Sequence, residues 1–424
     1  MSWISWICFG ICLGIIFLAI RRHADPFSPA RIFGFVWSFS IALTELKFSA
    51  FQHSWTLESW ILLLTAIIAF LIGTFIAYVL NLQKELIPLN TMRNLLSEEK
   101  INESRLFWLI CLSVAVYSFS YIVSLSVKGW LPIFVVGSKI SRVDFNISGL
   151  TLFLFSASFI IFFTIIYILM VKGNKAKKNI LVVLSLITVG SYVLLLQRYQ
   201  IIMAGVICFV LLYYASHYIR PKTVIILFTV VTAFFYWIMS LRLGNLLMIY
   251  MYRVSKMNFS KDYAFLTEPY MYVVMNLENF ARSVNLLEYH TYGYFTFDFI
   301  TAISGLKYWI IDYFNLSRMP YLTSSYNTYT AFWWFYSDFG VIGLASIPFI
   351  LGFSSGLIYY RMRSKPSIKN VTAYGLMIFV MFITYFNFPI SFLWFEYNLL
   401  VIYLFLRWTI IPQKVDPRVS IASL

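Results

Sequence analysis

Several arginines in this chain have the chemistry and spacing of an anion-binding site. Arg198 lies in a QRYQ turn between two apolar runs, and Arg242, Arg253 and Arg318 follow in a long segment rich in aromatic residues. A guanidinium group binds phosphate oxygens through two parallel hydrogen bonds and stays charged at every accessible pH. The four arginines are therefore suited to a lipid-linked pyrophosphate. The alternative is that each one separately reaches toward lipid headgroups.

Three residues of the same region could accept a proton from a hydroxyl group: His290 in EYHTYGY, Glu278 in NLENFAR and Asp338 in YSDFG. Histidine exchanges its proton near neutral pH, and a carboxylate can act as a base in a partly dry site. Simpler interpretations remain open. A lone histidine in a loop is often only hydrogen-bonded, and Asp338 could cap a helix at a membrane interface.

Aromatic side chains accompany these candidates. Tyr292, Tyr326 and Tyr329 could stack on sugar rings, or they could form the aromatic belt found where proteins leave a membrane. Phe332–Tyr336 is predicted to lie at such an interface.

Composition indicates the class of protein that must position these residues. Of 424 residues, 61% are hydrophobic and only 12% are charged, which predicts an all-α, polytopic integral membrane protein. The net charge of +15 comes mostly from lysines and arginines in short loops between apolar runs. That distribution is the positive-inside pattern, so we expect no nucleic-acid partner. With four histidines, four cysteines and no ligand motif, we predict no metal site and no cofactor.

Apolar runs predict about eleven membrane spans. They are Trp3–Ile20, Ala30–Leu46, Ser59–Leu80, Leu106–Val127, Leu150–Val171, Asn179–Leu196, Ile201–Ile219, Thr223–Leu241, Phe339–Tyr360, Val371–Phe388 and Ser391–Leu406. The lysine and arginine bias places the N-terminus outside and the C-terminus in the cytoplasm. Glu45 and Lys47, at the outer end of the second span, are expected to pair.

The spans divide the chain into three parts: an N-terminal bundle (1–241), a large external loop (242–338) and a C-terminal membrane segment with a short cytoplasmic tail (339–424). External loops of this length are usually functional. Within the loop, Leu266–Tyr289 and Phe295–Phe314 are predicted to form helices that lie on the membrane surface.

A family resemblance rests on the end of this loop. The segment NTYTAFWWFYSDFGVIGLASIPFILGFSSGLIYYR, preceded by HTYGYFTF, resembles the Wzy-type polymerases that join oligosaccharide repeat units of bacterial O-antigen and capsule. The resemblance covers about residues 289–363. The matching residues are Tyr292 and Gly293 upstream, then Asn327, Tyr329, Thr330, Asp338, Phe339, Gly340 and Gly343. Arg198 looks like the arginine that commonly follows the middle spans in that family.

The resemblance implies a metal-independent glycosyltransferase in the bacterial cytoplasmic membrane, with its active site on the external side. Its substrate would be an oligosaccharide carried on undecaprenyl pyrophosphate, with Asn327 among the sugar-binding residues. A chain-length regulator and a flippase are candidate partners. Two alternatives stay open: an O-antigen ligase-like transferase, and a flippase or secondary transporter. The transporter fits less well, because the chain has no internal repeat and transporters usually have short loops.

Overall fold

The structure is a computed structural model that describes residues 2–20, 25–134, 145–147, 149–171, 174–216, 248–307, 309–310, 326 and 328–411. Across these residues the chain is helical, and isolated bridges pair Ser49 with Met257 and Ile101 with Ile410. The prediction of an all-α protein is confirmed.

The described helices are α1 (Trp3–Ile20), α2 (Pro29–Thr44), α3 (Leu57–Val79), α4 (Leu89–Glu98), α5 (Glu103–Lys128), α6 (Leu150–Leu154), α7 (Ala157–Met170), α8 (Lys175–Leu194), α9 (Tyr199–Ala215), α10 (Thr267–Val284), α11 (Asp298–Ser304), α12 (Ala331–Ser364), α13 (Ile368–Ile383) and α14 (Leu393–Thr409). Residues 248–254 are helical as well, and Pro132–Phe134, Lys261–Leu266 and Pro389–Ser391 form 3-10 turns.

Among the described residues, five helical stretches are long and apolar enough to cross a membrane: Leu57–Val79, Glu103–Lys128, Leu150–Met170, Lys175–Leu194 and Ala331–Ser364. Shorter apolar helices are Trp3–Ala19, Pro29–Thr44, Tyr199–Ala215 and Ile368–Ile383. These helices support the prediction of a membrane protein. Eleven spans and their orientation stay predictions, and the predicted span Thr223–Leu241 lies outside the described residues.

Local signals in the sequence set the helix ends near the site. At the start of α3, the Thr56 side chain accepts a hydrogen bond of 3.2 Å from the Ser59 amide, and Glu58 lies in the first turn, where a negative charge favours the helix dipole. In α10, Pro269 occupies the first turn, where proline removes no helical hydrogen bond. The helix predicted over Leu266–Tyr289 is present as α10, but the prediction that it lies on a surface is wrong: every residue from Val274 to Ala281 is buried, because α2 and α3 pack against the helix. In place of Phe295–Phe314, the structure has α11 and helical residues at 306–307 and 309–310; residues 311–314 lie outside the described part.

The described residues divide into two compact units. The first comprises Met1–Glu85, Tyr218–Tyr360 and Val380–Leu393. Its core contains two stacked ring pairs: Phe33 with Phe70 (centroids 3.6 Å apart) and Trp37 with Phe332 (4.1 Å). Glycine allows α3 and α12 to approach closely, since a Cβ on Gly73 would lie 2.2 Å from the Phe349 carbonyl oxygen.

Helix α12 begins at Ala331 rather than at the predicted Phe339. Its first turns, Phe332 to Phe335, are buried, so the prediction that this aromatic cluster lies at a membrane interface is wrong for those four residues. The rings pack inside the first unit instead. Phe335 contacts Phe388 (4.9 Å between centroids) and Trp334 contacts Phe392 (5.3 Å). These rings are buried rather than interfacial because neighbouring elements cover each ring completely, and burial of a whole aromatic ring is strongly stabilising.

The second unit comprises Leu86–His217, Arg361–Phe379 and Trp394–Leu424. A buried polar chain links its helices: the Ser158 hydroxyl donates to Asn398 Oδ1 (2.8 Å), and Asn398 Nδ2 donates to Gln200 Oε1 (3.2 Å). Arg198 directly precedes α9 in this unit and is half-buried.

Candidate functional site

A buried carboxylate joins two segments of the first unit that the sequence analysis singled out. Asp338 is fully buried in α12 and accepts hydrogen bonds from the Thr291 hydroxyl (2.5 Å), the Phe295 amide (3.2 Å) and the Thr296 amide (2.6 Å). The carboxylate therefore organises the turn that follows His290. We call residues 290–296 together with 337–340 the Asp338 junction.

Backbone contacts reinforce the Asp338 junction. The Thr291 amide donates to the Ser337 carbonyl (3.0 Å), and the Tyr292 amide donates to the Asp338 carbonyl (3.1 Å). His290 Nδ1 lies 3.3 Å from the same Ser337 carbonyl oxygen. The loop and the first part of α12 thus form one hydrogen-bonded structure.

Two glycines give the Asp338 junction its shape. Gly340 interrupts α12 with φ 61° and ψ −145°, a conformation open essentially to glycine alone. A Cβ at this position would lie 3.1 Å from His290 Nε2. In the facing turn, Gly293 has φ 100°. These are two of the glycines that carry the family resemblance, and both are used where the chain needs their conformational freedom.

The Asp338 junction presents two of the predicted site residues and encloses the third. Tyr292 is 79% exposed and His290 is half-buried, so both can be reached from outside. Asp338 is covered, and all three of its hydrogen bonds come from residues of the facing turn. This geometry favours a structural role for Asp338 over the predicted catalytic one and leaves His290 available as a base.

A second charged group surrounds Glu278 on α10. Its carboxylate is 1% exposed and lies 3.2 Å from Lys47 Nζ, while the Trp55 indole nitrogen donates to it at 3.2 Å and the His53 amide at 3.4 Å. Lys47 Nζ also lies 3.2 Å from Glu45, which confirms the predicted Glu45–Lys47 pair. We call Glu45, Lys47, Trp55 and Glu278 the Lys47 cluster.

Two buried carboxylates share one ammonium group, which also donates to the His53 carbonyl at 2.7 Å. Burial raises the pKa of the Glu278 carboxyl above its usual range, and Lys47 and the Trp55 indole partly oppose that shift. A cluster of this kind is suited to holding a proton or to accepting hydrogen bonds from hydroxyl groups.

An open pocket of about 420 Å³ adjoins the Lys47 cluster. Its lining includes Glu45, Lys47, Gln52, Trp55 and Trp60. The Trp55 and Trp60 rings lie 4.6 Å apart at an interplanar angle of 38°, so the pocket combines aromatic surface with charged and amide groups.

The other predicted site residues are distributed over the chain. Tyr326 is buried and hydrogen-bonded to Ser255, and Tyr329 is buried against Trp333 with centroids 5.2 Å apart, so neither presents a ring for stacking on sugar. Arg253 is exposed in the first unit, and Arg198 belongs to the second. Arg242, Arg318 and Asn327 lie outside the described residues.

Sequence reasoning did not predict that Lys47, Trp55 and Trp60 line one pocket. The available signal was the charged pair Glu45–Lys47, followed by Trp55 in the connection between two apolar runs and by Trp60 at the start of the second run. Within the described ranges, no three His, Cys, Asp or Glu side chains come together as metal ligands would. Comparison of the chain with protein-family models, with curated proteins and with solved structures gives no match.

Proposed function

We propose that this protein is a membrane glycosyltransferase that joins oligosaccharide repeat units carried on a lipid pyrophosphate, on the outer face of the bacterial cytoplasmic membrane. The observation that supports it best is the Asp338 junction. Tyr292 and Gly293 on one side, and Asp338 and Gly340 on the other, carry the resemblance to repeat-unit polymerases, and they are in direct contact. Segments separated along the chain that form one hydrogen-bonded structure are expected if they serve a common site.

The proposed reaction is a displacement at an anomeric carbon. A hydroxyl oxygen of the acceptor repeat attacks that carbon, a new glycosidic bond forms, and the bond to the lipid pyrophosphate breaks. The acceptor proton passes to a base, for which His290 is the accessible candidate, and the pyrophosphate leaves as an anion. A charged guanidinium group such as Arg253, which lies in the same unit as His290, would stabilise that leaving group.

The test uses cells that lack the protein, complemented with wild type, Arg198→Ala or Arg253→Ala at matched expression, with the surface polysaccharide run on a gel. A guanidinium that contacts the leaving pyrophosphate should contribute about 2–4 kcal/mol to the barrier, so its loss should slow polymerisation roughly 10²–10³-fold. We expect wild type to restore a ladder. A variant that has lost a guanidinium in contact with the pyrophosphate should leave single repeats.

Arg105→Ala is the matched control. Arg105 is exposed, donates to the Trp408 carbonyl at 3.2 Å and directly precedes the predicted span Leu106–Val127, on the side predicted to be cytoplasmic, so its loss should leave the ladder intact. If cells without the protein fail to bring single repeats to the outer face of the membrane, the protein is a transporter and the polymerase proposal is wrong. If they still make the full ladder but do not transfer it to its final acceptor, the ligase-like alternative is correct.

A further inference from the structure

The pocket beside the Lys47 cluster has a chemistry of its own that the Asp338 junction does not share. Carbohydrate rings have an apolar face and a rim of hydroxyl groups, so a complementary site needs aromatic surface with hydrogen-bond acceptors and a donor around it. In this pocket Trp55 and Trp60 provide the aromatic surface, and Glu45, Lys47 and Gln52 provide the polar groups.

The polar groups of the pocket are fixed by ion pairs and hydrogen bonds to residues behind them. Lys47 Nζ is fixed by Glu45, Glu278 and the His53 carbonyl, and the Trp55 ring edge is fixed by its indole hydrogen bond to Glu278. Because Glu278 is almost completely buried, it acts through Lys47 and Trp55 and need not touch a ligand itself. A pocket whose walls are already ordered loses little entropy when it binds.

Gln52 is fixed in the same way. Its amide nitrogen donates to the Thr44 carbonyl (2.7 Å), while its Oε1 atom accepts from the Tyr270 hydroxyl (2.7 Å) and the Ser49 amide (3.1 Å). The connection between α2 and α3 is therefore tied to α10 along its length, and the pocket is a persistent feature of the first unit.

Charge selects among sugars. The Lys47 ammonium already pairs with Glu45 and Glu278, so it offers an anionic ligand no uncompensated positive charge, while a neutral ring with hydroxyl donors needs none and can use the Glu45 carboxylate as an acceptor. The positive-inside pattern also places the α2–α3 connection on the same outer side as the loop 242–338.

From these observations we infer that the pocket lined by Glu45, Lys47, Gln52, Trp55 and Trp60 binds a neutral sugar ring and serves as the subsite for the acceptor repeat. The identification of this sugar as part of the acceptor repeat rests on the proposed function. The binding of a neutral sugar is argued from the pocket alone. In this assignment Trp60 and Trp55 provide the stacking surface, the Glu45 carboxylate accepts a hydrogen bond from a ring hydroxyl, and Lys47 and Glu278 are positioning residues.

Binding is tested by saturation-transfer NMR on the full-length protein in lipid nanodiscs. The probes are methyl glycosides of glucose, galactose and N-acetylglucosamine, with glucuronic acid as the anionic comparison. We expect at least one neutral probe to bind. Trp60→Leu should weaken binding about tenfold, because it keeps apolar bulk and removes the aromatic face. Trp309→Leu, at a tryptophan that is 81% exposed, should not change binding.

Trp55→Phe provides a second variant that keeps an aromatic ring and removes the indole hydrogen bond to Glu278. It should weaken binding without lowering the melting temperature as far as a core substitution would. Any one of three results would overturn the inference. No neutral probe binds, or wild type and Trp60→Leu bind equally well, or glucuronic acid binds better than the neutral probes.

The ladder assay separates this inference from the proposed function. If neutral sugars bind through Trp60 and cells without the protein still make long chains, the polymerase proposal and the acceptor assignment both fail, and a sugar-binding pocket remains. If deletion abolishes polymerisation but Trp60→Leu restores a full ladder as well as wild type does, the polymerase stands and the acceptor assignment is wrong.

Discussion

The Thr291 hydroxyl donates a 2.5 Å hydrogen bond to the carboxylate of Asp338, which lies 47 positions later in the chain. This contact, with the two amide hydrogen bonds beside it, fixes the turn that carries His290 and Tyr292 against the first part of α12. An aspartate that the sequence suggests as a base or a helix cap is therefore the centre of a buried polar network, and its removal should disturb the loop before it disturbs the helix.

Asp338→Asn should loosen this loop. The amide keeps one acceptor oxygen but puts an NH2 group in place of the other, so either the Phe295 amide or the Thr296 amide loses its buried acceptor at a cost of about 1–3 kcal/mol. We expect backbone amide exchange at residues 291–297 to become roughly ten- to a hundredfold faster, as read by hydrogen–deuterium exchange. Asp298→Asn is the matched control, because Asp298 pairs with the partly exposed Lys307 and such pairs contribute about 0–1 kcal/mol. Equal exchange in the two variants would contradict the role assigned to Asp338.

Gly340→Ala should destabilise the protein by about 1–3 kcal/mol, since the residue holds a backbone conformation that alanine rarely adopts. The new methyl group would also press on His290. The melting temperature in detergent measures the loss. His290→Ala in the same chain should recover the steric part and leave the backbone part. Full recovery in that double variant would show that the backbone conformation is not strained for alanine.

Gly73→Ala tests the close packing of α3 against α12. Its Cβ would lie 2.2 Å from the Phe349 carbonyl oxygen and 2.7 Å from the Phe353 amide nitrogen, so the helices must separate. Overpacking of this kind costs about 1–3 kcal/mol, and we expect a lower melting temperature. Gly14→Ala on α1, with no atom within 4 Å of the new methyl, should not lower it. A stable Gly73→Ala variant would mean that this helix pair is less tightly packed than described.

The Lys47 cluster predicts a pH dependence of stability. Burial raises the pKa of Glu278 in the folded protein above the 4.5 of a free carboxyl, so the folded state binds this proton more tightly than the unfolded chain does. Its contribution is full below about pH 4.5 and is lost as the pH rises through the folded-state pKa. Glu278→Gln has no proton to lose, so the fall in its unfolding free energy over this window should be smaller than in wild type.

The measurement is the melting temperature as a function of pH, compared by slope. Lys47 and Glu45 face Glu278 and are kept in both proteins. Glu288→Gln, at an exposed position in the same loop, should keep the wild-type slope. A Glu278→Gln profile parallel to wild type would show that Glu278 does not titrate in this window.

The sequence alone determined the class of the protein and much of its helix pattern, because apolar runs of membrane-spanning length and charged connections between them are local features. The helices α3, α5 and α8 follow from such runs and from their capping residues Thr56, Asn102 and Asn174, and α10 follows from its amphipathic pattern. The Glu45–Lys47 pair could also be predicted, since its two members are two positions apart.

Tertiary structure decided how the charged side chains are used. Lys47 reaches Glu278 across 231 positions, and Asp338 is buried by a loop that no local pattern assigns to it. The aromatic start of α12 looks like an interfacial belt in sequence, yet neighbouring helices bury it. Burial and charge pairing depend on which surfaces meet after folding, and one side chain can be a solvated cap or the centre of a polar network according to what packs over it.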